Sequence, residues 1–147
     1  MGYIIKVFVA KHSQLETLSA QYPAAQVVSL SQELGLVPMT EALFDEINLC
    51  GLTEDLPGFV LMTVGAEMQI LKLFPVGEIA YVEADYFGGN GSQSAVVWAN
   101  GRRSEIYMDK HNAINFALKS LGISKKSHGD EFEALNLGRH RDTHDWR

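Results

Sequence analysis

The sequence predicts a single α+β domain with a largely antiparallel sheet and helices packed against it. Three observations carry this. Tyr3–Ala10 (YIIKVFVA) is an unbroken run of β-branched, aromatic and apolar residues around one lysine, the pattern of a strand covered on both faces. Asn100-Gly101 sits between two strand-like runs and marks a tight hairpin in the second half of the chain. Helical stripes occur before and after the hairpins instead of alternating with single strands, which favours α+β over a parallel βαβ array.

Taken in order, the first strand is followed by Ser13-Gln14-Leu15-Glu16, a capping-box pattern that predicts a helix to about Tyr22, stopped by Pro23. Between Val27 and Pro38 strand and helix both stay open, because Ser29 and Gln32 form a second capping-box pattern beside a short apolar run. Thr40–Leu49 places Leu43, Phe44 and Ile47 on one helical face and ends at Cys50-Gly51. Pro57-Gly58 is a turn, and Phe59–Met62 reads as a short buried strand. Val64–Phe74 reads as a helix closed by Pro75 and Gly77, with a strand as its competitor.

The next pattern is a strand at Ile79–Tyr86, a glycine turn at Gly88–Ser92 and a strand at Ser94–Ala99. A type I′ turn at Asn100-Gly101 would set Ala99 opposite Arg102, Trp98 opposite Arg103, Val96 opposite Glu105 and Ser94 opposite Tyr107, with Ile106 on the face of Ala95 and Val97. Asp109 is the expected cap of a helix running to Leu121, with Ala113, Ile114, Ala117, Leu118 and Leu121 as its stripe and Gly122 as its stop. Ser124–Gly129 reads as a linker and Asp130–Leu137 as a short helix. Residues 1–138 form the expected domain, and 139–147 a polar surface tail pinned by Trp146.

Bulk properties narrow the function classes. The 147 residues, 46% hydrophobic and 20% charged, suffice for one buried core. A net charge of −6 argues against a nucleic-acid binder that relies on phosphate contacts and is compatible with a basic protein partner, a cation or simple solubility. The single cysteine, Cys50, excludes an intrachain disulfide framework. No signal-peptide pattern opens the sequence and no apolar run of about 18 residues occurs, so the expectation is a cytoplasmic protein without a membrane partner.

The candidate binding surface is Glu83, Asp85, Tyr86, Phe87, Gly88, Gly89, Asn90, Gly91 and Gln93. Glu83 and Asp85 are two apart in a strand, so both project from one face. The glycines read either as a bulged or wide β-turn or as a rigid loop that presents Tyr86, Phe87, Asn90 and Gln93 to a partner. Gly89-Asn90-Gly91 is followed by a strand and not a helix, which excludes a dinucleotide fingerprint and a nucleophile elbow. No motif nominates a catalytic residue, and none calls for a cofactor. Whether the chain is an enzyme stays open: Glu83 with Asp85, or His140 with His144 at i,i+4 spacing, offers oxygen or imidazole ligands to a divalent cation. A third alternative is an oligomeric structural subunit assembled through Trp98.

The stretches AYVEADYFGGNGSQSAVVW (Ala80–Trp98), NAINFALKSLGI and DEFEALNLGRHRDTHDW together resemble a family of small uncharacterised bacterial proteins with a VEA-acid-YFGG-x-G-x-Q core. The resemblance covers the second half of the chain and implies no particular chemistry. In size and acidity the chain is similar to immunity proteins of bacterial toxin systems, which bind and block a toxin. The expectation is therefore a soluble bacterial protein-binding module, of the immunity type, whose partner is a basic toxin domain.

Overall fold

A computed structural model describes residues 2–51, 54–87, 90–109, 112–122, 137 and 142–146. At its centre is one sheet of six strands: β1 (Gly2–Lys11), β2 (Val28–Ser29), β3 (Leu34–Pro38), β4 (Glu78–Phe87), β5 (Asn90–Ala99) and β6 (Arg102–Asp109). The spatial order is β2-β3-β1-β4-β5-β6, and every neighbouring pair is antiparallel. Helices α1 (His12–Gln21), α2 (Glu41–Ile47) and α3 (Val64–Leu73) cover one face, and α4 (Ala113–Ser120) covers the other. The expected single α+β domain is what the chain forms.

Both faces are therefore buried, which explains the unbroken apolar run of β1. Phe8 and Ala10 join Tyr81, Val96 and Trp98 under α1–α3, while Ile5, Val7 and Val9 join Val82, Ala95 and Val97 under α4. Alternation of polar and apolar residues vanishes in a strand with no wet face. Trp98 is deeply buried in the first of these cores, so it offers no exposed surface for assembly.

Several local expectations are corrected. Helix α1 starts at His12, with Lys11 at its N-cap and no side-chain cap. Its first N–H donates to the Glu33 carbonyl (3.0 Å), and Glu16 pairs with His12 Nδ1 (3.2 Å) instead of closing a box with Ser13. The undecided 27–38 segment is the β2–β3 hairpin. Phe59–Met62 is not a strand but part of a loop held by its own turns and by β4. Thr40 and Thr63 cap α2 and α3 through their hydroxyls, but α4 begins after Asn112 and Asp109 belongs to β6. The helix expected at Asp130–Leu137 falls outside the described residues apart from Leu137, which is buried.

The turn Asn100-Gly101 has φ of 51° and 78°, as a type I′ hairpin requires. The register is as expected for Ala99↔Arg102 and Trp98↔Arg103, then shifts at a bulge between Val97 and Trp98. Beyond it Val97 faces Glu105, Val96 faces Ile106 and Ser94 faces Met108, one residue from the expected pairing. The extra residue turns Ile106 into the core with Val96 and leaves Glu105 outside.

The described part of the tail, residues 142–146, is tied into the domain. Strand β3 stops at Pro38 opposite Val7, the Met39 N–H still donates to the Lys6 carbonyl (2.8 Å), and among the described residues β1 before Lys6 has no paired strand on that side. Asp142 fills part of the gap through a parallel bridge to Ile4, and Thr143 Oγ1 accepts from the Lys6 N–H (3.0 Å). Trp146 is 2% exposed and packs in the α4-side core.

Candidate functional site

The strand order brings Lys6, Glu83 and Ser94 into one row across β1, β4 and β5, and Ile4, Asp85 and Ser92 into the next. All project from the face that carries α1–α3, at the end of the sheet those helices leave uncovered. The Gly58–Leu61 loop reaches over this end. Lys6, Gly58, Val60, Glu83, Ala84, Asp85, Ser92 and Ser94 enclose a cleft of about 70 Å³.

Glu83 is the anchor of this arrangement and not an exposed partner residue. It is 6% exposed. One carboxylate oxygen accepts from the Val60 N–H (2.7 Å); the other accepts from the Leu61 N–H (2.8 Å) and the Tyr81 hydroxyl (2.7 Å). A buried carboxylate needs such donors, and the loop amides need an acceptor in turn. Burial, with the negative charge of Glu83 beside it, pushes the Tyr81 phenol well above its usual range. Ser94 adds a second tie by donating to the Gly58 carbonyl (2.7 Å).

Asp85 is the opposite case. It is exposed, and among the described residues Asp85, Ser92 and the Lys6 ammonium have no side-chain hydrogen bond or ion pair. The rim is apolar: Val60 is 65% exposed and Met108 57%, the latter lying against Gly58.

The remaining expected site residues divide. Tyr86 is half-buried and packs toward the α4-side core, away from Asp85. Gly91 pairs with Tyr86, and a Cβ there would collide with the Asp85 carbonyl and the Tyr86 ring, so this glycine serves close strand packing. Gln93 also points to the α4 side, where its carbonyl accepts from the Ile114 N–H (2.9 Å) in the first turn of α4. The wide turn expected at Gly88–Ser92 is corrected: the ladder continues to Phe87↔Asn90. Gly88, Gly89 and the side chains of Phe87 and Asn90 lie outside the described residues, as do His140 and the His144 side chain.

Lys6, Val60, Ser92, Ser94 and Met108 are members of the site that sequence reasoning did not nominate. Among the described residues no group of three or more His, Cys, Asp or Glu side chains is placed to hold a metal ion. A larger open cleft of about 500 Å³ lies at the other end of β1, between Lys11, His12, Glu16, Leu30 and Glu33. No helix of the described residues is long and apolar enough to cross a membrane.

The chain matches no protein-family model, and no curated protein or solved structure shows significant similarity to it.

Proposed function

We propose that this chain is a protein-binding module of the bacterial immunity type, which docks a basic toxin domain on the rim around Asp85, Val60 and Met108. The observation that carries the reading is that two strongly exposed apolar side chains, Val60 on the loop tied down by Glu83 and Met108 on β6, flank Asp85, an unpaired carboxylate on β4 among the described residues. Rigid apolar anchors make strong contacts because little side-chain and loop entropy is lost on docking. The net charge of −6 favours a basic partner and speeds its encounter. Glu83 acts within the molecule, and Asp85 is the carboxylate left to meet the partner.

The test is site-specific photocross-linking in the native host. A photoreactive residue is placed at Val60, Asp85 or Met108, and at Val76 as an exposed control near the other end of β4. The reading expects one basic protein from the first three positions and not from the fourth, with binding by the purified pair that weakens as salt rises. Equal capture from all four positions, or none from any, would overturn it.

A further inference from the structure

We infer that the outer edge of β6 is a docking edge, and that the partner adds an extended strand to it as a seventh member of the sheet. This rests on the protein-binding reading above and specifies how the partner is held. Strand β6 ends the sheet order, and the described residues place no further strand beside it. It is eight residues long, whereas the strand at the opposite end of the sheet, β2, has two. The bulge interrupts β6 between Arg103 and Glu105, and beyond it Glu105–Asp109 presents a regular row of alternate N–H and C=O groups that an extended backbone can pair.

The side chains beside the edge are suited to the same occupant. Among the described residues six large apolar side chains are exposed, and three of them gather here. Met108 projects from β6 on the α1–α3 face, against the loop that carries Val60. Phe116, 43% exposed, stands on the other face, its ring 5.6 Å from that of Tyr107. Successive side chains of an added strand point to opposite faces, so one set would meet Met108 and Val60 and the other Phe116.

Charge sets the register. Arg102 and Glu105 are exposed, have no ion pair among the described residues, and stand opposite Ala99 and Val97 on the α4-side face. An incoming strand is matched when it sets an acidic residue against Arg102 and a basic one against Glu105, since opposite charges across a pair stabilise it and like charges do not. The occupant is thus an extended segment with alternating apolar residues and one acidic and one basic residue spaced to these two positions. A second copy whose two-fold falls between Arg102 and Glu105 would also set opposite charges across the pair, so a dimer through β6 is the competing outcome that the light scattering below distinguishes.

The experiment uses the full chain and a synthetic eight-residue peptide. The peptide alternates valine and threonine and carries one glutamate and one lysine spaced to meet Arg102 and Glu105. A control peptide has the same side chains but N-methyl groups on alternate amides. Amide hydrogen exchange is followed residue by residue, and molar mass by light scattering. The inference expects alternate amides between Arg102 and Asp109 to slow by on the order of tenfold with the first peptide only. It further expects Phe116→Asp and Glu105→Lys, both on exposed side chains, to abolish the slowing without loss of fold. Unchanged exchange in β6 at millimolar peptide, equal slowing by the N-methylated control, or a dimer already protecting β6 would each overturn it. If Asp85 still cross-links a basic partner while β6 exchange in that complex is unchanged, the edge inference falls and the protein-binding reading stands.

Discussion

Glu83 and Asp85 stand two residues apart on the same face of β4, and their carboxylates have opposite fates. Glu83 is enclosed by the Val60 and Leu61 amides and the Tyr81 hydroxyl, whereas Asp85 is exposed and unpaired among the described residues. The pair therefore separates scaffold from surface, and mutation distinguishes the two roles.

Replacing Glu83 by alanine leaves two loop amides and a phenol without their acceptor. Each buried orphan costs about 1–3 kcal/mol, so Glu83→Ala is expected to lower stability by about 3 kcal/mol or more. Glu83→Gln costs less, because one amide oxygen still accepts. Urea denaturation measures the loss, and amide exchange should accelerate at both Val60 and Leu61 in the alanine variant and at one of the two in the glutamine variant. Unchanged exchange at those two residues would refute the anchor role.

Asp85→Lys, by contrast, is expected to change stability by no more than about 0.5 kcal/mol, as an exposed side chain without contacts does. The same change should weaken capture of a basic partner by tenfold or more. Loss of stability would place Asp85 in the scaffold instead.

Glu67 and Arg103 supply a pH prediction. Burial alone would raise the Glu67 carboxyl, but hydrogen bonds from the Arg103 guanidinium (2.6 and 2.7 Å) and the Trp98 indole (2.9 Å), with the positive charge beside it, hold it below its ordinary value of 4.5. A depressed folded-state pKa stabilises the fold above the unfolded value, and that contribution disappears as pH falls through the folded value. Glu67→Gln should therefore be less stable than the native chain at pH 7, by about 1–3 kcal/mol. The gap should close below pH 4.5. Parallel stability curves down to the acid transition would contradict the assignment.

Trp146→Ala tests the C-terminal closure. Truncation of a buried tryptophan costs about 3–5 kcal/mol, and the bridge at Ile4 should loosen with it. A shift in the urea midpoint with faster exchange at Lys6, whose N–H donates to Thr143, is the expected pair of results. A neutral substitution would show that the tail contributes nothing to the fold.

Much of the architecture was legible because periodicity and turn chemistry agree in it. The run at Tyr3–Ala10, the stripe at Ala113–Leu118 and the Asn100-Gly101 turn each carry a local signal that packing does not override. Strand β3 was illegible because its hairpin turns on Gln32 and Glu33 at φ of 59° and 63°, a conformation usually announced by glycine or asparagine. The bulge beside Trp98 was equally silent: Arg103 reaches back to Glu67 across it, a pairing fixed by tertiary contacts alone. At the site, the acidic pair was visible but its division was not. A clue was present in Ile79–Ala84, whose apolar residues fall on both faces. A carboxylate in such a strand needs internal donors, and these came from Val60 and Leu61, in a segment read as a strand of its own.

The bond from Tyr3 to the Leu137 carbonyl and that from Lys6 to Thr143 join positions 134 and 137 residues apart. The closure cost grows only with the logarithm of the span, but contacts this non-local slow folding, and sealing this edge of β1 is expected to follow its pairing with β4. The strand at the heart of the sheet is thus among the last to be sealed on both sides. Until then its open edge is exposed to pairing with other chains, so aggregation during refolding should rise steeply with protein concentration.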